Sequence, residues 1–486
     1  MKLQELLKGV AVTEVHADLE TEVASIVYDS RKAVPGCLFA AISGFASDGN
    51  RFIPMAVEKG AVVTVTAKKP DVETPYVLAA SDRLALAQMA CNFYGNPAKS
   101  MQCIGITGTN GKTSVTLLLK SVLEQTRGAK VGLIGTMGNL VGQEALPSER
   151  TTPESLELQQ LFARMRDAGC QYAVMEVSSH AIALDRIGGV HYDVAAFTNL
   201  TEDHLDFHRT MDAYCDTKAE LFRRCDRAVI NADDPYAPRM LQAAACPVLT
   251  VSAHKEAGLY AKDIALHAQG VEFTAVCGEE TARVAVPIPG RFTVYNALTV
   301  LGVSRQLGIS LEECARALEK VSGVKGRIEV VPTPGMPYTV LIDYAHTPDG
   351  LEKVLLSVRD FCKGRLIAIF GCGGDRDPMK RPIMGQIGVK NADFSIITSD
   401  NPRTEAPMAI IGDILKGITP EMGEYTVIED RRKAIRYAMD IGKKDDIIVL
   451  AGKGHETYQE INGHKYHLDE REEVQSYLSE LRKLHE

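Results

Sequence analysis

The run GITGTNGKTSV, residues 105–115, decides the fold. Before it, the apolar stretch Met101–Ile106 suits a buried strand. After it, Val115, Leu118, Leu119, Val122 and Leu123 recur at helical spacing and give a helix one apolar face. Between the two, Gly108 and Gly111 let backbone amides turn inward at a helix N-terminus, where oriented N–H groups and the helix dipole hold phosphate. Lys112 would reach the terminal phosphates of a bound nucleotide, and the Thr113 hydroxyl would ligate magnesium. The strict phosphate-loop pattern asks for glycine five residues before Gly111, where Ile106 stands, so this is a variant. An ordinary glycine-rich turn is the bland alternative. The strand before and the amphipathic helix after argue for the phosphate loop.

Outward from the loop, three more strands are expected in the same sheet. Tyr172–Val177 (YAVMEV) carries Glu176 at its end, followed by Ser178 and His180. An acidic residue there, beside a phosphate loop, is where a magnesium ligand belongs. Asp193–Thr198 runs into NLTEDHLDFH, 199–208, and Arg227–Asn231 runs into ADDP. His204 and His208 have the spacing of a zinc pair on a helix, but Leu205 stands where a metalloprotease needs glutamate. A structural role suits His208, whereas His204 follows a strand end in the Glu176 sheet. Tyr214–Phe222 reads as an amphipathic helix with one lysine, Lys218, which in isolation is a surface residue.

The flanks add two units. Residues 1–98 read as a small α/β domain, with strands at Cys37–Ile42 and Ala61–Thr66 and a short helix, Phe52–Lys59, between them. There Asp29-Ser30-Arg31 would suit a phosphate or uracil group, with a solvated turn as the alternative. From residue 327, four apolar runs end in polar loops: 338–346, 365–377, 394–403 and 446–456. Helical stretches separate them, which means a parallel, doubly wound sheet with ligands at the carboxyl ends of its strands. Those ends carry Asp343, His346, Arg376, Asp377, Asp400, Asn401, Arg403, Lys453, His455 and Glu456. Arg, Asn and Glu together suit a ligand with carboxylates and an ammonium, that is, an amino acid.

The expected fold is therefore α/β in three domains. These are a small N-terminal α/β domain (1–98), a central phosphate-loop ATPase domain with a mostly parallel sheet (99–326) and a C-terminal doubly wound, Rossmann-like domain (327–486). A chain of 486 residues with 45% hydrophobic and 24% charged residues suits that reading. The net charge of −9 disfavours general nucleic-acid binding. The 11 cysteines contain no CxxC pair and fit free thiols in a reducing cytosol. The first twenty residues suit neither a signal peptide nor a membrane span. No GxSxG elbow, Cys/His nucleophile pattern or GxGxxG fingerprint competes with the nucleotide reading.

The succession TGTNGKT, RTTP, MEVSSH, NLTEDHLDFH, YNAL, GRIE, DYAHTPD, GCGGDRD, DNPR and GKGHE closely resembles the Mur ligases of peptidoglycan synthesis, in their MurE type. The resemblance covers nearly the whole chain. It implies a cytoplasmic, monomeric enzyme that uses ATP and Mg2+, as two ions, to join meso-diaminopimelate to UDP-N-acetylmuramoyl-L-alanyl-D-glutamate. It also implies roles for residues. The ATP set is Gly108, Thr109, Asn110, Gly111, Lys112, Thr113, Ser114, Asn296, Arg327, Asp343 and His346. The metal set is Thr113, Glu176, His204 and Lys218, the last as a carbamate, and Lys112, Glu176, His204 and Lys218 form the catalytic group. The UDP-substrate set is Ser30, Thr151, Thr152, Ser178 and Arg186. The diaminopimelate set is Arg376, Asp400, Asn401, Pro402, Arg403, Gly452 and Glu456. Arg403 would pair with the second carboxylate of diaminopimelate, which lysine lacks. ATP contacts drawn from two domains imply that the third closes when ligands bind. A folylpolyglutamate synthetase, a lysine-adding relative and a phosphate-loop switch protein are the other readings. An N-terminal domain with Asp29-Ser30-Arg31 and the DNPR loop speak against the first of these.

Overall fold

Runs that are apolar on both faces become central parallel strands, because such strands are covered by helices on either side. The computed structural model describes residues 1–44, 48–321, 323 and 325–485. The chain divides into two compact units. One holds Met1–Tyr260, Cys277–Glu280 and Tyr295–Ala317; the other holds Ala261–Val276, Thr281–Val294 and Leu318–Glu486.

The first unit contains two sheets. The N-terminal sheet has the order Val12–His16, Tyr76–Ala79, Val63–Thr66, Cys37–Ala40, Ser25–Val27, antiparallel only at its first pair. Two of these strands and the intervening helix, now Ile53–Glu58, lie where the sequence placed them. Leu38, Val63, Val65 and Val77 pack against Leu86 and Met89 of helix Asp82–Phe93, which Ser81 caps through the Leu84 amide.

The central sheet runs Val248–Ser252, Ala228–Asn231, Val194–Phe197, Gln102–Thr107, Tyr172–Glu176, Val131–Gly135, all parallel. Two antiparallel strands, Gly138–Val141 and Glu144–Leu146, extend it. The register sets Glu176 beside Ile106, and Phe197 beside Thr107. The loop that follows Thr107 is thus flanked by both polar strand ends. Gly105 lies under the Tyr192 ring, where a Cβ would come within 2.8 Å of it. Helix Lys112–Arg127 buries Val115, Leu118, Leu119, Val122 and Leu123, the whole face that the spacing predicts.

The second unit holds a sheet of order Glu329–Val331, Thr339–Asp343, Ile447–Ala451, Leu366–Phe370, Phe394–Ile397, Glu424–Val427. All pairs are parallel except the first. Helices Pro348–Arg359, Lys380–Asn391 and Pro407–Leu415 supply Leu351, Leu355, Met384 and Ile411 to the core on one face. Helices Arg431–Ile441 and Glu470–His485 supply Ile435, Met439, Val474 and Leu478 to the core on the other. The doubly wound expectation is met, with an antiparallel strand added at one edge.

Candidate active site

Gly108 has φ +145°, and a Cβ there would lie 1.9 Å from Thr198 Oγ1, so the loop can pass Thr198 only as glycine. Thr198 Oγ1 donates to the Asn110 carbonyl at 2.6 Å. Asn199 accepts the Asn110 amide on its side-chain oxygen at 2.9 Å and the Thr109 amide on its carbonyl at 2.8 Å. The end of the neighbouring strand therefore latches the loop. Gly111, at φ +86°, opens the helix, and a Cβ there would meet Asn296 Oδ1 at 2.7 Å. Asn296 is buried against the loop.

Two ammonium groups converge on one carbonyl. Lys112 Nζ donates to Gly108 O at 2.9 Å and to Thr109 O at 2.8 Å, and Lys218 Nζ donates to Gly108 O at 3.0 Å. Lys218 is 1% exposed and stands 4.6 Å from the Tyr214 ring centre. Burial pushes its amine well below the ordinary lysine value, the Lys112 charge adds to that, and Asp203 opposes it. Burial also lowers Lys112, against the pull of Glu176 and Asp203. The reading of Lys218 as a surface lysine is thereby corrected. Helix Met211–Ala219 turns Tyr214, Cys215, Lys218 and Ala219 to its buried face.

Glu176, 1% exposed, accepts Thr113 Oγ1 at 2.9 Å, the Thr136 amide at 2.9 Å and Thr136 Oγ1 at 3.1 Å. A Cβ on Gly135 would lie 2.4 Å from its Oε1, so that glycine makes room for the carboxylate. Thr113 and Glu176 form a hard oxygen pair at the loop. His204 is half exposed, in a left-handed conformation ahead of the single turn Leu205–His208, and pairs with Asp203 at 3.4 Å. Its ring lies 4.9 Å from His180 and 6.2 Å from Tyr214, so Tyr214 neighbours both His204 and Lys218. His208 is buried on Ser179 Oγ at 2.9 Å, the structural role expected of it.

Thr151 Oγ1 meets Thr136 Oγ1 at 2.9 Å. Thr152 Oγ1 donates to Glu176 O at 2.8 Å and accepts the Ser178 amide at 3.1 Å. Ser178 caps the helix Ser179–Ala183. Arg186 is ion-paired with buried Glu154 at 2.6 Å, and Glu154 also holds Arg83 at 3.2 Å and Arg150 at 3.5 Å. These four candidates gather around the Glu176 strand end. Ser30 lies apart, buried against Met55 Sδ at 3.4 Å. The structure does not bring its hydroxyl to a guanidinium, because Arg31 points outward and is held by Asp29 at 2.7 Å.

In the second unit the polar strand ends form a connected hydrogen-bond network. Asn401 Nδ2 donates to Glu456 Oε2 at 2.8 Å. Lys453, fully buried, reaches Asn401 Oδ1 and Glu456 Oε2, each at 3.2 Å. Arg403 Nη1 donates to Gly374 O at 2.7 Å, and its Nε faces Glu460 Oε2 at 3.3 Å. Its Nη2 makes no hydrogen bond among the described residues. A Cβ on Gly373 would touch both Arg403 Nη1, at 2.9 Å, and Arg376 Cγ, at 3.8 Å, so the two arginines are neighbours. Arg376 itself is exposed and Asp377 caps the Met379 amide. Pro402 follows Asn401 in the same buried turn. Asp343 accepts the Ile328 and Ala345 amides at 2.8 Å each, and burial raises its carboxyl above the usual range. The Arg327 guanidinium stands 5.8 Å from the Tyr344 ring centre, and His346 is exposed beside the same ring.

Known proteins carry the same layout. Residues 22–94 match the catalytic domain of the Mur ligase family, residues 106–304 the Mur ligase middle domain and residues 326–454 the Mur ligase glutamate ligase domain. The UDP-N-acetylmuramoyl-L-alanyl-D-glutamate–2,6-diaminopimelate ligase of Clostridium tetani is 47% identical over 488 residues, 99% of this chain and 100% of that protein. This chain belongs to the Mur ligase family. A solved 2,6-diaminopimelate ligase of the same name matches this Mur ligase with a TM-score of 0.79 at 31% identity, over 99% of both chains. A folylpolyglutamate synthase of Mycobacterium tuberculosis matches with a TM-score of 0.57 at 19% identity over 76% of the chain, a likeness of fold alone.

Sequence reading missed several parts of this Mur ligase site. Thr136, Thr198 and Asn199 fix the loop and Glu176 through side-chain bonds across strands. Asn199 could have been found as the first polar residue after a buried strand. Glu154, Arg431 and Glu470 had no such signal, because their burial depends on partners far along the chain.

Proposed function

We propose that this Mur ligase forms the amide between UDP-N-acetylmuramoyl-L-alanyl-D-glutamate and meso-2,6-diaminopimelate at the cost of ATP. The D-glutamate carboxylate oxygen attacks the γ-phosphorus, giving an acyl phosphate and ADP. The diaminopimelate amine then attacks the acyl carbon, and the tetrahedral intermediate expels phosphate. Carboxylate oxygen is a poor leaving group and phosphate a good one, so the protein's task is to neutralise and align anions.

Lys112 and the amides at the start of its helix take the triphosphate, with Asn296 beside them, and Arg327, Asp343 and His346 are further candidate ATP contacts. Thr151, Thr152, Ser178 and Arg186, with Ser30, take the UDP-substrate. Residues 1–98, 99–326 and 327–486 would thus serve UDP-substrate, ATP and amino acid in turn. The hard oxygens of Thr113 and Glu176 fit Mg2+. Lys218, buried and with its amine favoured neutral, is set to take up CO2, and as a carbamate it would offer oxygens to a second ion with His204. Bound magnesium would neutralise phosphate charge. The enzyme acts as a monomer in the cytoplasm, and no helix among the described residues is long and apolar enough to cross a membrane.

The observation that carries the choice of amino acid is the pinned Arg403, whose Nη1–Nη2 edge would pair with a second carboxylate. With lysine that edge stays unpaired, a loss of roughly 1–3 kcal/mol or more. Phosphate release is measured with ATP, Mg2+ and the UDP-dipeptide, adding either meso-diaminopimelate or L-lysine. Release with diaminopimelate only is expected. Release with lysine only keeps the ligase and overturns the role of Arg403, and release with neither sinks the proposal.

A further inference from the structure

Beside Asp400 of the amino-acid set lie two buried charges with no role above, Arg431 and Glu470. Arg431 opens the helix Arg431–Ile441 and has no exposed side-chain surface. Its Nε donates to Glu470 Oε1 at 2.8 Å, and its Nη2 donates to the Ala451 carbonyl at 2.8 Å. Its Nη1 faces Asp400 Oδ2 at 3.9 Å. Asp400 Oδ2, Arg431 Nη1 and Glu470 Oε2 are all buried without a hydrogen-bond partner.

The guanidinium is thus bonded to the end of one strand and faces the Asp400 carboxylate across a gap too long for a hydrogen bond. Ala451 immediately precedes Gly452, and a Cβ on Gly452 would lie 2.7 Å from Asp400 Oδ2. The Asp400 carboxylate is thus aimed at the Gly452 backbone, with Arg431 behind both. Two carboxylates, Asp400 and Glu470, face one guanidinium, so the trio carries one negative charge in excess. A buried unpaired carboxylate oxygen calls for a donor. An ammonium supplies both a donor and the missing charge.

We infer that Arg431, oriented by Glu470, is a positioning residue for the amino-acid site, holding Asp400 and Gly452 so that Asp400 Oδ2 receives an ammonium of the diamino-acid substrate. This rests on the proposed amino-acid cleft. Neither residue touches substrate. Each acts through Asp400 and the Ala451–Gly452 backbone.

Steady-state kinetics of the full-length enzyme test this, using whichever amino acid the wild type turns over. A wild type that uses lysine corrects the proposed substrate separately, and one that uses no amino acid overturns both readings. In Glu470→Gln, the KM for that amino acid is expected to rise about tenfold or more, while the KM values for ATP and UDP-dipeptide stay within about twofold. Removing one partner of a buried pair can unfold a protein, whereas replacing the pair by apolar residues of like volume is often neutral. The double variant Arg431→Met/Glu470→Met provides that control. Its melting temperature should return close to wild type while the KM for the amino acid stays raised. Recovery of that KM together with stability, or a parallel rise of all three KM values, would show a purely structural pair and overturn the inference.

Discussion

A lysine amine without solvent is a different reagent from one at the surface. Lys218 loses the hydration that stabilises its charge, and Lys112 stands close enough to oppose it further. Its lowered pKa leaves more of the neutral amine at pH 7, and the neutral amine is the form that adds CO2. Carbon-13 NMR with labelled bicarbonate should show a carbamate signal that is lost in Lys218→Ala, and ATP turnover should fall with it. The same signal in both proteins would place the modification elsewhere. His208 gives a second test at this scale. Burial above all holds its imidazole down to about 4. The unfolded chain takes up that proton near 6.5. A folded value below the unfolded one means that its contribution is complete above pH 6.5 and is lost as pH falls toward 4. Urea unfolding at pH 7 and pH 5 should therefore show a smaller loss of stability for His208→Gln than for the wild type. Lys218 was hidden from sequence reading because lysine is so often exposed. Its position four residues after Tyr214, on the face shared with Cys215 and Ala219, was the available signal.

At the scale of elements, helix Met211–Ala219 delivers Lys218, and its entry is fixed by Thr210, whose Oγ1 accepts the Ala213 amide at 3.1 Å. Thr210→Ala should destabilise the protein by about 1 kcal/mol. ATP turnover should drop further than that loss explains, since a frayed first turn shifts the lysine. Thermal melting and kinetics on one preparation separate the two effects. Several of the central parallel strands were legible because both of their faces are buried, which writes an uninterrupted apolar run, although Val131–Gly135, equally buried, was missed. The edge strands Val12–His16 and Glu144–Leu146 were not, as most of their residues face solvent. Strand order was equally silent. Tyr172–Glu176 lies between Gln102–Thr107 and Val131–Gly135, an order that no local pattern in the sequence carries.

For the whole molecule, two units with separate cores predict more than one unfolding transition, since a single cooperative step belongs to a single domain. Calorimetry should resolve two transitions. A non-hydrolysable ATP analogue with Mg2+ should move the one that belongs to the first unit, by about 2.7 kcal/mol at a hundredfold excess over its Kd. One sharp transition under all conditions would show that the units melt together. The phosphate loop was readable because residues 108–114 form one contiguous motif, whereas Asn296, Arg327, Asp343 and His346 were assigned to ATP only through the family resemblance. The buried bracing was not: Arg431 and Glu470 are 39 residues apart, and only folding reveals that they share a charge.

The paired bonds of Lys112 to its own loop bear on turnover as well. A ligand that displaces Lys112 must first replace two carbonyl acceptors, Gly108 and Thr109. A whole triphosphate does so with contacts along the entire loop. Lone orthophosphate, the by-product, brings far fewer, and so gains little over the loop's own carbonyls. The loop would compete with that product for the lysine, so added orthophosphate is expected to inhibit turnover only weakly.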